Sequence, residues 1–128
     1  MNKIKLIYPE LSYKIVGCLF EVYNNIGPNH REQYYQKAII REFTQQKIPF
    51  KSQLPVALVY KCEKVGNNFL DFLIDGKIVL EIKVGTRFLK KDFIQVLDYL
   101  KSTGLQLGII AIFTPDGVKF QRILNIYN

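Results

Sequence analysis

The sequence predicts an α/β fold in which helices flank a mixed β-sheet, with elements in the order ααβββαββ. Two amphipathic helical stretches precede a block of short apolar runs, and a third helical stretch interrupts that block. Runs such as LGIIAIF are apolar throughout, which implies strands buried on both faces. The chain has 128 residues, 48% hydrophobic and 23% charged, which suits one domain over 1–128 with a real core and excludes a disordered or fibrous protein.

Over residues 9–25, Leu11, Ile15, Val16, Leu19, Phe20 and Tyr23 recur at helical spacing, and Pro9 suits the first turn. Gly27 and Pro28 break this helix. A second helix is expected over 31–46, through Tyr34, Tyr35, Ala38, Ile39 and Phe43, ending near Ile48-Pro49. LPVALVY, FLDFLI and KIVLEIKV read as three strands, separated by KCEKVGNN and by Asp75-Gly76. Residues 89–102 return to helical spacing with Phe93, Val96, Leu97 and Leu100 on one side, and Gly104 is placed to end the helix. LGIIAIF and VKFQRIL then read as two strands joined at TPDG. No repeat, low-complexity tract or linker is visible.

Eighteen Lys and Arg against 11 Asp and Glu give a formal charge of +7, which suits a polyanionic partner such as nucleic acid as well as it suits an ordinary basic protein. Cys18 and Cys62 lie far apart with no C-x-x-C pair, so they read as free thiols rather than zinc ligands. MNKIKLIYPE lacks the apolar run of a signal peptide and no later run approaches a membrane span, so the expected setting is cytoplasmic, with no membrane partner. The one histidine, His30, follows a Gly-Pro turn and reads as an ordinary residue near a helix start.

The chemistry concentrates in LDFLIDGKIVLEIK. Along IVLEIKV, Ile78, Leu80, Ile82 and Val84 alternate with Val79, Glu81 and Lys83, so a strand sets the acid and the lysine side by side. Alone, E-x-K on a strand is more often a solvent-facing charge pair. Asp71 changes this, because a carboxylate amid Phe69, Leu70, Phe72 and Leu73 is costly without a partner. Whether it joins Glu81 depends on the turn. A two-residue Asp75-Gly76 loop sets Asp71 opposite Leu80, whereas a three-residue loop or a bulge shifts the parity and gives Asp71 the same face as Glu81 and Lys83. A functional site therefore requires the odd loop. Converged, two carboxylates and the main-chain carbonyl of Ile82 suit Mg²⁺ or Mn²⁺, and Lys83 is placed to hold water and offset charge on phosphorus. That is the equipment of metal-assisted phosphodiester hydrolysis.

These residues resemble the PD-(D/E)XK nuclease superfamily, with its restriction-endonuclease-like core, and within it the GxxExxY proteins. The resemblance is carried by IVGCLFEVYNNIGPNHREQYY, FLDFLIDGKIVLEIK and QVLDYLKSTGLQLGIIAIF, and runs from about Ile15 to Ile123. It implies a catalytic core of Asp71, Glu81 and Lys83, with Glu21 of the first helix turned towards the metal or its water. It further implies a role for Gln95, which forms a Q-x-x-x-Y spacing with Tyr99; on a helix the two lie one turn apart. The naming motif falls on Asn29, Glu32 and Tyr35, where Asn29 replaces glycine. Asn tolerates the left-handed conformation, so the turn is expected to survive. Glu32 serves either the site or the helix start, and Tyr35 either the site or the core. Leu70 stands where the superfamily's name has proline.

Arg87, Lys90 and Lys91 follow the E-x-K strand and are candidates for nucleic-acid backbone contact. No recognition helix or stacking motif supports sequence-specific readout. The expectation is thus a metal-dependent nuclease-like protein acting on DNA, with RNA as the alternative substrate. A catalytically inactive module that binds nucleic acid or protein is the competing reading. A chain this small has little surface for gripping a duplex without a homodimer or another partner.

Overall fold

A computed structural model describes residues 7–126; residues 1–6, which hold much of the stretch read for a targeting signal, and 127–128 lie outside the described part. The elements are α1 (Pro9–Ile26), α2 (Glu32–Gln45), β1 (Phe50–Tyr60), β2 (Glu63–Ile74), β3 (Ile78–Val84), α3 (Lys90–Thr103), β4 (Leu107–Thr114) and β5 (Gly117–Leu124), in the expected order. Pro9 opens α1, where its missing N–H costs nothing. Gly104 closes α3 in the left-handed conformation, φ 78°, with its N–H donated to the Leu100 carbonyl.

The five strands form one sheet in the order β1-β2-β3-β4-β5; β3 and β4 run parallel and every other neighbour pair is antiparallel. A parallel step needs a crossover, which α3 supplies. On one face, α1 and α2 bury Ile15, Leu19, Tyr35, Ile39 and Phe43 against Phe72, Ile78, Leu80 and Ile109. On the other, α3 buries Val96 and Leu100 against Leu54, Leu70, Val79 and Ile110. Every residue of β4 is buried, as its unbroken apolar run requires.

Two readings of the sequence need correction. The second helix stops at Gln45, and buried Ile48 belongs to the core beyond it. KCEKVGNN is no spacer: β1 and β2 pair from Phe50↔Ile74 out to Tyr60↔Glu63, and Lys61 and Cys62 alone make the turn, at φ 48° and 67°. Much of this outer ribbon is exposed, so its residues carry no buried-face alternation to betray the strands.

Gly108 marks the tightest contact between sheet and helix. A Cβ there would lie 2.5 Å from Cγ1 of Val96, a β-branched side chain with little room to turn. Gly108→Ala should cost about 1–3 kcal/mol by overpacking, read from the urea unfolding midpoint.

Candidate active site

The site begins at the turn between β2 and β3. Asp75 and Gly76 both take positive φ, 51° and 64°, and the Lys77 N–H closes onto the Ile74 carbonyl at 2.9 Å. Pairing resumes only at Ile74↔Ile78, so Lys77 is a third loop residue and the loop is odd. The register continues through Leu73↔Val79 and Phe72↔Leu80, and one rung further it sets Asp71 against Glu81. The convergence required of these two acids is therefore met.

At that rung the two strands part. On the other side of β2, Ser52 pairs with Phe72 and Leu54 with Leu70, while Gln53, at φ 55°, breaks the ladder opposite Asp71. Phe72 packs under α2 whereas Leu70, two residues earlier, packs under α3, so β2 rolls over at Asp71. The Asp71 carboxylate consequently enters the gap between the strands. Its Oδ2 accepts the Ile82 N–H at 2.7 Å, and Glu81 Oε1 accepts the Asp71 N–H at 3.1 Å. Both acids are almost wholly buried, with 6% and 3% of their surface exposed.

The gap admits residues from both layers. From α2, Gln36 Nε2 donates to Asp71 Oδ1 at 2.7 Å and to Glu32 Oε2 at 3.3 Å. From the other face, Lys83 Nζ lies 3.9 Å from Glu81 Oε2 and 3.8 Å from Oδ1 of buried Asp92 on α3. Burial, followed by the hydrogen bond to Asp71 and its charge, pushes the Glu81 carboxyl up to about 9, with Lys83 opposing the shift. Burial also raises Glu32, with Asp71 adding to the effect. Burial works against the Lys83 ammonium, yet Glu81, then Asp92, Glu32 and Asp71, outweigh it and hold its pKa above that of an ordinary lysine. Lys83 is a standing cation rather than a base.

The sequence profile of the PD-(D/E)XK nuclease superfamily matches residues 9–123, nearly the whole chain. The chain belongs to this superfamily. Its mixed five-stranded sheet with flanking helices agrees with the restriction-endonuclease-like core. Among solved structures it is similar to the crystal structure of SSO0001, at 15% identity and a TM-score of 0.47, over 93% of this chain and 79% of that one. It is also similar to an alkaline exonuclease, LHK-Exo, from Laribacter hongkongensis, at 13% identity and a TM-score of 0.39, over 98% of this chain and 72% of that one. None of the curated proteins compared with it matches.

Within this PD-(D/E)XK chain the other candidate residues separate clearly. Glu21 does not join the cluster: it is exposed, accepts from Asn25 Nδ2 at 3.0 Å, and lines a groove with Cys18, Glu42 and Gln45. The inward face of α1 is set by Ile15, Leu19 and Val22, which turns Glu21 outwards and towards the last turns of α2. Glu32, from the first turn of α2, is the helical carboxylate that faces the cluster: it accepts from Gln36, which also donates to Asp71, and burial, then the Asp71 charge, raise its pKa. Asn29 takes the left-handed conformation, φ 68°, which asparagine tolerates. Tyr35 is core: fully buried, it stacks on Phe113 at 4.3 Å and donates its hydroxyl to the Gly27 carbonyl at 2.6 Å. Gln95 lines a groove with Lys83, Lys91 and Asp92, while Tyr99, one turn on, packs against the α3-side core. Arg87, Lys90 and Lys91 are exposed.

Gln36 and Asp92 were not singled out by the sequence. Each had a signal, since Gln36 lies one turn after Glu32 and Asp92 three residues before Gln95, the spacings that share a helix face.

The folded protein holds the Glu81 proton more tightly than the unfolded chain does. Its contribution to stability is therefore full below the ordinary value of 4.5 and is lost as pH rises towards 9. Without metal, the urea midpoint should fall across that interval, and Glu81→Gln, which cannot ionise but still accepts the Asp71 N–H, should flatten the fall. An unchanged slope in Glu81→Gln would assign the pH dependence to another group.

Proposed function

We propose that this chain is a single-domain, divalent-metal-dependent nuclease of the GxxExxY branch, hydrolysing phosphodiester bonds of DNA, with RNA as the alternative substrate. The observation that carries this reading is the convergence of Asp71 and Glu81 in the gap between β2 and β3, with Lys83 on the same strand. PD-(D/E)XK nucleases typically depend on a divalent metal.

The donor set fits such an ion. Two carboxylates buried in contact call for a proton or a cation between them. The Ile82 N–H points into the gap, and a strand residue directs its N–H and C=O to the same side, so the Ile82 carbonyl is available there too. Among the described residues no three Asp, Glu, His or Cys side chains form a metal cage. Mg²⁺ or Mn²⁺ needs none, because it binds through one or two carboxylates and keeps places for water and phosphate. Asp71, Glu81 and the Ile82 carbonyl would hold it, and when bound it would polarise the phosphodiester and acidify water.

The chain's own groups do the rest. Lys83, fixed between Glu81 and Asp92, orients the attacking water and offsets charge developing on phosphorus. Gln36 holds Asp71 in its rotamer, Glu32 supplies a further carboxylate from the α2 side, and Gln95 stands beside Lys83 where a phosphate oxygen can be met. Arg87, Lys90 and Lys91 offer charge to the flanking backbone. Cys18 and Cys62 are free thiols, which supports a reducing, cytoplasmic setting.

Mn²⁺ should bind the wild type by calorimetry and fail to bind Asp71→Asn or Glu81→Gln. Lys83→Met should keep Mn²⁺ binding while cleavage of mixed DNA and RNA substrates drops by roughly 10²–10³-fold. A wild type that takes up no Mn²⁺ would end the metal-dependent reading, and nucleic-acid binding without cleavage would leave the binding module in its place.

A further inference from the structure

A groove of about 460 Å³ opens beside Lys83, between the β1–β2 ribbon and α3. Its ribbon wall carries Val56, Leu58 and Asn68, and its helical wall carries Lys91, Ile94 and Gln95. Leu58 and Ile94 are 50% and 48% exposed, so apolar surface stands on both sides of a channel that starts at Lys83. Leu58 pairs with Gly66, which has no side chain to cover it.

We infer that this groove receives an unpaired nucleic-acid strand, which makes the preferred substrate single-stranded or a frayed end. The inference rests on the nuclease reading and deepens it. A duplex turns phosphates and sugars outwards and keeps its bases stacked inside, so Leu58 and Ile94 would gain nothing from one. A single strand has free base faces, which apolar walls accept, and edges, which the amides of Asn68 and Gln95 can meet. The charge agrees. Lys91 lines the groove and Arg87 and Lys90 precede it, whereas of the two lining acids Asp92 is tied to Lys83, leaving Asp98 alone opposed to a phosphate. Continuity with Lys83 then feeds the strand's backbone to the acid pair.

The test is fluorescence anisotropy in Ca²⁺ with a short labelled single-stranded DNA and its duplex at one salt concentration, using wild type, Leu58→Glu and Ile94→Glu. The wild type should bind the single strand about tenfold tighter than the duplex, and each variant should lose about tenfold for the single strand alone. Mn²⁺ uptake should be unchanged in both variants. Equal or tighter duplex binding, or variants that bind the single strand like wild type, would overturn the assignment. So would a wild-type dimer in sedimentation that either variant dissociates, because a second copy would then occupy the groove. If the binding differences hold but no substrate is cut in Mn²⁺, the groove stands and the nuclease reading falls.

Discussion

Where β2 and β3 separate, two main-chain donors lose their rungs and two carboxylates replace them. The Asp71 N–H and the Ile82 N–H would each be left unpaired beyond Phe72↔Leu80, at about 1–3 kcal/mol per buried donor. Glu81 answers the first and Asp71 the second, across the same gap. Each acid thus finishes the strand of the other. This reciprocal closure fixes both rotamers, and it also brings two like charges into contact away from water, so Glu81 takes up a proton that an exposed glutamate would release.

The rest of the architecture serves that gap. Tyr35 ties the start of α2 to the preceding turn through Gly27 and to β4 through Phe113, and His30 meets its ring edge-on at 5.8 Å. With α2 pinned there, Glu32 and Gln36, one residue to one side of Tyr35 or a turn before it, reach the acid pair. On the opposite layer, Gly108 lets Val96 sit close to β4, which draws α3 down until Asp92 meets Lys83. A cluster fed from both helical layers is possible only because the sheet is open at this point.

Much of this was legible in the sequence because burial writes a period. The helices, β3 and β4 were read from apolar spacing, and the odd loop was required by the parity that unites Asp71 with Glu81, against the plain Asp-Gly signal. That signal was not false: Asp75 and Gly76 form the tight turn, and Lys77 adds the extra residue. In the outer ribbon LPVALVY was read as a strand but its partner over 63–68 escaped, because an exposed strand carries no such period. Glu21 and Glu32 are both carboxylates on helices, and only the packing of α1 and α2 decides which one faces the gap; the pattern within either helix does not contain that information. Gln36 and Asp92 were hidden for a related reason, since a polar helical residue looks solvated until the opposing layer is known.

The electrostatics of the cluster give the basic surface its meaning. Four acidic side chains, Glu81, Asp92, Glu32 and Asp71, bear on one ammonium, Lys83, inside a chain whose formal charge is +7. In the proposed nuclease an anionic phosphodiester would be attracted by the surface and repelled by the centre. Lys83 cannot reverse that alone, because Asp92 already shares its charge. Asp71, Glu81 and the Ile82 carbonyl would hold a divalent cation there, and its charge would make the centre attractive to the group that the surface has drawn in. On this view the metal site and the basic surface are complementary, the surface drawing the phosphodiester in and the bound ion making the acidic centre tolerate it.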